Sequence, residues 1–417
     1  MNEKDLKIHI VGAGVSGLIA AKVLEDHGYF PVVIESTDRA GGRVKTDLID
    51  GFQLDHGFQV LLSKYPAAQK YLDFDALEIQ KLQSGAIIFI NGQQKIIGDP
   101  LRDITVLFST LFSPIGSLFD KFKIFQLNFL LKNKSLHDIF KTEEITTKQY
   151  LLNFGFSKQI IANFFQPFFT GIFLETELKT SSRMFEFVFK MFSEGMAVIP
   201  KGGIEEISKQ LVNNLSKTTF KFKTEVTEVS GEEIQTLNGD RLKTDATIIA
   251  TDADKLIKNP KRQDLKWKSC QTLYFTSKHR TIKKSFIGLL SSKNSLVNNI
   301  FYHTSLKSNT TSKDELLSVT VVEDHNLSDK ELVTAVTNQL KAVCNIQELQ
   351  FLKMYHIPKA LPDLNDLKYE VVPAETQLTS TVFLAGDVQL NGSLNAAMIA
   401  GEKAALAVIE KFRSAGI

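Results

Sequence analysis

Apolar residues gather in short runs at 8–11, 32–34, 246–251 and 382–385. Runs this brief and continuous suit strands of a parallel sheet covered on both faces. The first leads through Gly12-Ala-Gly14-Val-Ser16-Gly17 into a helical pattern reaching Leu24. The last ends in Gly386-Asp387 and precedes a helix that starts near Ser393. Residues 224–229 alternate, as a half-buried strand does. Strand-like runs at 271–276, 285–290, 299–303 and 317–322 predict an antiparallel or mixed sheet flooring a pocket. Amphipathic helices are expected at about 204–215 and 329–343, the second opened by Ser328 with Glu331 three residues on.

Phenylalanine dominates the stretch between these blocks. The chain holds 31 Phe but only 8 Tyr and 1 Trp. Phe108, Phe112, Phe119, Phe122, Phe125 and Phe129 recur at intervals of three, four and seven among Leu and Ile, with Lys121, Lys123 and Lys132 nearby. That spacing predicts amphipathic helices broken at Pro114-Ile-Gly116. Helical core is the plain reading for most of them; the alternative is a mouth that grips an apolar molecule or meets a membrane surface. A second block, residues 164–174, holds Phe164, Phe165, Phe168, Phe169 and Phe173. A phenylalanine pocket offers dispersion and few hydrogen bonds, which suits a polyene, an acyl chain or a porphyrin.

The glycine turn brings in chemistry. In Gly12-x-Gly14-x-x-Gly17, the first glycine permits a tight turn. The second lets backbone approach a pyrophosphate, and the third lets the helix lie close on the strand. The helix N-terminus then presents free N–H groups to phosphate. Glu35 ends the second strand, 21 residues after Gly14, where an acid is expected on a ribose hydroxyl. A carboxylate there disfavours NADP, whose extra phosphate it would repel.

Residues 35–43, with Arg39, Gly41, Gly42 and Arg43, closely resemble the second glycine-pair signature of the flavin amine oxidase superfamily. That superfamily includes monoamine and polyamine oxidases, protoporphyrinogen oxidase and phytoene desaturases. The resemblance continues through residues 54–60, 199–204, 224–229, 246–251 and 386–401, in order. It implies a non-covalent FAD held by Gly12, Gly14, Ser16, Gly17 and Glu35, and then by Arg39, Gly41, Gly42 and Arg43. Gly57, Phe58 and Gln59 would face the ring system, and Val226 would pair its backbone with adenine. Asp387 beside Gly386 would hold the ribityl or diphosphate portion. Ser393, Leu394 and Asn395 would aim a helix N-terminus at the flavin's N1–C2=O edge. His56 and Gln59 are candidates for flavin-proximal side chains, although a structural role outweighs catalysis for both. No catalytic side chain is assigned.

The implied fold is α/β: a discontinuous Rossmann-like FAD-binding domain from 1–95, 195–265 and 375–417. An inserted α+β substrate domain would come from 96–194 and 266–374. Formal charge is +2, from 49 basic and 47 acidic residues, so no nucleic-acid footprint is expected. Eight His without an HExxH motif, and no CxxC, predict no metal site. Cys270 and Cys344 make no disulfide framework, which suits a reducing cytoplasm. The polar Met1–Asp5 leads straight into the first strand, so no signal peptide is expected. No apolar run reaches the roughly 18 residues of a spanning helix, although peripheral membrane contact stays open.

Two departures separate this chain from the amine-oxidizing branch that it resembles. That branch orients an amine between two aromatic side chains, one of them in the C-terminal motif, where residues 388–394 carry no aromatic. It also carries a lysine on a middle strand, whereas residues 270–275 have none and Lys268 is merely close. The expectation is therefore an FAD-dependent oxidoreductase that desaturates C–C bonds of an apolar small molecule. Its electron acceptor stays open between oxygen, a quinone and a second flavin. Alternatives are a redox-neutral isomerase of fatty acids or carotenoids, an amine or protoporphyrinogen oxidase, and an FAD-binding protein without catalysis. A nicotinamide-linked reductase is weaker, since a single nucleotide fingerprint is present.

Overall fold

Five short strands meet in one all-parallel sheet. In the computed structural model, which describes residues 6–90, 92–98, 115–257, 265–291, 295–322 and 324–414, their order is Thr219–Lys221, Val32–Ile34, Ile8–Val11, Ala246–Ile249, Val382–Leu384. Alternate residues feed opposite faces. Ile8, Ile10, Val33, Ile248 and Phe383 pack under the helix Val15–Asp26. Val11, Ile34, Ile249, Val382 and Leu384 pack beneath a three-stranded antiparallel sheet that starts with Val226–Val229. Both faces are covered, which is why the runs carry so few polar residues.

The helix Leu394–Ser414 crosses Val15–Asp26 on the first face. A Cβ on Gly401 would stand 2.2 Å from the Ser16 carbonyl oxygen, so glycine sets the distance of that crossing.

A seven-stranded sheet forms the second layer. Its order is Gln350–Pro362, Trp267–Ser277, Glu315–Val321, Val297–Tyr302, Ile287–Leu290, Gly85–Ile90, Gln93–Gly98. Every pairing is antiparallel except Ile287–Leu290 with Gly85–Ile90. The hairpin 85–98 belongs to this sheet, so a boundary at residue 95 falls inside its second strand. The helix Asp329–Cys344 covers one face with Leu332, Val336, Leu340 and Cys344. Ser328 and Glu331 form its capping box.

The helix Gln166–Phe173 packs on the other side of that sheet, among further helices between residues 117 and 194. Phe165, Phe169, Phe173, Phe185 and Phe187 are buried among them. Phe169 and Phe185 have ring centroids 4.8 Å apart, and burying each ring contributes about 1.5–3 kcal/mol. The helix Leu118–Lys132 differs. Only Asp120, Leu127 and Leu131 of it are buried, while Phe119, Phe122, Phe125 and Phe129 are 54–67% exposed. Phe108, Phe112 and the expected break at Pro114 lie outside the described residues, as do Met1–Asp5. Among the described residues no helix is long and apolar enough to cross a membrane.

Candidate functional site

A cavity of about 2580 Å³ runs between the two layers. Small-molecule pockets span roughly 300–1,000 Å³, so this one has room for a dinucleotide and a second molecule. Its wall begins at Gly12, Gly14, Val15 and Ser16.

The glycines have separate tasks. Gly12 has φ +105°, and a Cβ there would stand 2.9 Å from the Ala250 carbonyl oxygen. A Cβ on Gly17 would stand 2.0 Å from the Gly12 oxygen, so Gly17 lies under the turn and not on the cavity wall. Gly14 differs from both: nothing lies nearer its absent Cβ than Gly42 Cα at 4.0 Å. It caps the helix without a side chain and with no acid in the first turn. Its open face is a cradle that a Cβ would fill, beside unshielded helix N–H groups. These features fit a diphosphate.

Glu35 is fixed beside that turn. Its carboxylate accepts from Ala13 N at 2.8 Å and Thr37 N at 2.9 Å. The second glycine pair returns here: Gly41 N donates to Ala13 O, and Gly41 and Gly42 have φ +125° and +59°. Arg43 lies in the wall, paired with Asp387, donating to Ala360 O and 5.5 Å from the Trp267 ring centroid. Gly386 N donates to Ser16 Oγ at 2.9 Å, which ties the distant Gly-Asp segment to the first turn. Val226, Gly386, Asp387, Ser393 and Leu394 all reach the cavity. Ser393 Oγ accepts from Ala396 N and caps the helix that opens there.

Two assigned side chains stand elsewhere. Arg39 donates to Glu205 and Asp47, away from the wall. Asn395 is fully buried and accepts from Ala67 N, which ties its helix to Pro66–Tyr71.

His56, Gly57, Phe58 and Gln59 form the next stretch of wall. Gly57 has φ +100°. Gln59 donates to the carbonyls of Arg43 and His56, both at 2.9 Å, and so staples the loop. His56 Nε2 contacts Asp47 Oδ2 at 2.9 Å, and its ring centroid lies 4.6 Å from that of Tyr355. Tyr355 donates to the same Asp47 oxygen at 2.8 Å. Burial would raise the Asp47 carboxyl, but hydrogen bonds from His56, Tyr355 and Arg39 outweigh it and hold the pKa down at about 2. Burial pushes the Cys270 thiol of the wall up to about 11, so it stays protonated near neutrality.

Beyond this loop the wall divides. One side is apolar: Phe164, Phe168, Ile172, Met184, Phe189 and Phe192. The other is formed by the seven-stranded sheet, with Thr272, Asn298, Asn299 and Thr320. Tyr355 is the one residue near 355–362 that matches the earlier aromatic of the related branch; Asp47 and this polar group were missed from sequence. For Thr272 the alternation of strand 267–277, which puts Lys268, Cys270 and Thr272 on one face, was the visible signal. Among the described residues no three His, Cys, Asp or Glu side chains are placed to hold a metal ion.

Residues 15–409 match the family described as flavin containing amine oxidoreductase. L-amino-acid oxidase BmooLAAO-I of Bothrops moojeni is 31% identical over 159 residues, which is 36% of this chain and 32% of that protein. The match therefore spans about a third of that relative's length. A triple mutant of putrescine oxidase superposes with a TM-score of 0.72 at 16% identity, covering 97% of this chain and 99% of the other. Cyclohexylamine oxidase from Brevibacterium oxydans IH-35A gives 0.69 at 14% identity, covering 98% and 99%. These two likenesses are of fold. With the family match across nearly the whole chain and a cavity walled by both glycine pairs, the protein belongs to the flavin-containing amine oxidoreductase family.

Proposed function

We propose that the protein binds FAD non-covalently and oxidises a C–C bond of an extended, mainly apolar molecule to C=C. The single observation that carries this reading is the chamber of Phe164, Phe168, Phe189, Phe192, Ile172 and Met184, continuous with the glycine turns. A wall of this kind excludes water and grips hydrocarbon by dispersion. Bound flavin supplies a two-electron acceptor. The chain's own tasks are to seat the diphosphate at Gly14, hold Arg43 and Asp387 at the wall, and keep the His56 loop rigid. Two unpaired cysteines fit a reducing, cytoplasmic setting.

The exposed Phe face of Leu118–Lys132 fits contact with a lipid surface. Leu118, Phe122 and Phe125 belong both to that exposed face and to the cavity wall. Lys132, exposed at the end of the same helix, suits anionic headgroups, whereas Lys123 donates to Phe154 O at 2.8 Å. An apolar molecule could then pass from bilayer to chamber without crossing water.

Amine or amino-acid oxidation is the second reading, favoured by the names of the relatives. Anaerobic incubation of the holoprotein with polyenes, porphyrinogens, polyamines and L-amino acids separates the two. Flavin bleaching by a polyene is the expected result. Bleaching by amines or amino acids alone overturns the proposal, and an isomerised product of unchanged mass would favour redox-neutral chemistry.

A further inference from the structure

We infer that the sheet-side wall of the chamber is a recognition site for a neutral polar group, a hydroxyl or carbonyl, on an otherwise apolar substrate. The inference rests on the reading of this chamber as the substrate site and narrows the substrate class.

The wall is built by register. Thr272 pairs with Thr320, and Thr320 pairs with Asn299, across three neighbouring strands. Directly paired residues point to the same face, and Tyr355 pairs with Thr272 at the outer end of the row. The adjoining row, Leu273, Val319 and Ile300, faces the helix Asp329–Cys344 instead. The sheet thus turns a hydrocarbon face to its own helix and a polar face to the cavity. An irregularity between Val297 and Asn299 brings Asn298 into the wall as well.

Four polar atoms of this wall lack a hydrogen-bond partner: Thr272 Oγ1, Thr320 Oγ1, Asn299 Nδ2 and Asn298 Oδ1. All four residues are more than nine-tenths buried, at 0%, 5%, 2% and 8% exposure. A buried polar group without a partner weakens the fold, and such groups in a folded protein call for an explanation. Val at the two threonine positions would have satisfied the strand pattern without that penalty. The opposing helix Gln166–Phe173 also yields to these groups. A Cβ on Gly171 would stand 2.7 Å from Asn298 Oδ1 and 3.1 Å from Asn299 Oδ1. The one glycine inside the Phe-rich helix lies against the two amides.

The atom types define the ligand. One free acceptor, one free amide donor and two hydroxyls that do either serve a hydroxyl or a carbonyl. None carries charge. Lys268, the charged residue on the same face of strand 267–277, is occupied by Thr180 Oγ1 at 3.2 Å and Asp363 at 3.4 Å. A carboxylate or ammonium therefore finds no countercharge in the row, whereas a pure hydrocarbon leaves all four atoms unpaired. Thr272 lies at the end nearest the Gly57 loop, with Oγ1 3.9 Å from where a Gly57 Cβ would stand. The row runs from that loop toward the Phe-rich helix.

The test uses FAD-loaded protein and two probes, farnesol and its hydrocarbon counterpart farnesene, titrated by difference absorbance of the flavin and by thermal shift. Wild type is expected to bind farnesol at least tenfold more tightly, since a site built around hydrogen-bonding groups rejects analogues that lack them. Thr320→Val with Asn299→Leu should cut that preference to threefold or less, while Thr320→Ser should keep it. If the double variant does not fold, Thr320→Val alone carries the test and must lower the preference at least threefold. Equal binding of both probes by wild type, binding of neither, or an undiminished preference in the variants overturns the inference. Turnover is not needed. A holoprotein that prefers farnesol without being bleached by any polyene sinks the desaturation reading alone, and bleaching without the preference sinks this one alone.

Discussion

Arg43 and Asp387 are separated by 344 residues and form an ion pair in the cavity wall. Asp387 is buried, and Arg43 is partly open to the cavity. The guanidinium thus keeps donors available for a diphosphate while its far side is anchored. Arg43→Ala should weaken FAD binding by about tenfold to a hundredfold, in line with loss of a charge-assisted contact. Arg43→Lys should recover that affinity only in part, because a point charge lacks the planar fork. Fluorescence titration of apoprotein with FAD measures both, and wild-type affinity in Arg43→Ala would contradict the assignment.

Gly14 and Gly17 should fail in different ways. A methyl on Gly17 meets backbone at 2.0 Å, so Gly17→Ala should cost at least about 2 kcal/mol of stability even without cofactor. Gly14→Ala meets nothing closer than 4.0 Å. Its apoprotein should melt within a few degrees of wild type yet bind FAD at least tenfold more weakly. Calorimetry of the two apoproteins separates them, and a large drop in melting temperature for Gly14→Ala would refute the division of labour.

Asp55 gives a pH signature. Burial, aided by Glu205, pushes its pKa up to about 6 against hydrogen bonds from Thr46 Oγ1 at 2.6 Å and Ile204 N at 3.0 Å. An acid whose pKa is higher in the fold than in the unfolded chain binds its proton more tightly when folded. The stability associated with that proton is fully present below about pH 4 and is lost as pH rises through about 6. The loss is on the order of 3 kcal/mol. Asp55→Asn retains an acceptor for both donors and should flatten the profile between these values. Urea unfolding at pH 4 and pH 7 tests this; an identical slope in wild type and variant would be the failing result.

The Phe face of Leu118–Lys132 should act at a distance from the chemistry. Phe122→Ser with Phe125→Ser and Phe129→Ser replaces exposed rings, so thermal stability should change little. Co-sedimentation with anionic vesicles should fall at least tenfold. Undiminished sedimentation of the triple variant would exclude that face as the lipid contact.

The cofactor cradle was legible because its requirements are local. Gly12, Gly14 and Gly17 must fall within six residues, and backbone conformation dictates their identity. The capping box at Ser328 and Glu331 was legible for the same reason. The polar row was not. Thr272, Asn299 and Thr320 come from three strands, and nothing in one strand alone tells a threonine facing a cavity from one facing water. Register made the site, and register is a property of the sheet. Arg39 stands apart: the signature places it among cofactor ligands, while its fork donates to Asp47 and Glu205. The Phe-rich stretch was ambiguous because core and exposed helices share one periodicity. Leu127 and Leu131 face inward while Phe122 and Phe129 do not, and burial alone separates them.

The interlock of Ser16 with Gly386 and Gly401 has a bearing on biogenesis. The turn at residues 12–17 is synthesised before its partners, which follow nearly four hundred residues later. Until then the nascent chain has half a cradle and an uncovered apolar sheet. The diphosphate cradle is therefore complete only once both distant segments exist and their two helices have crossed.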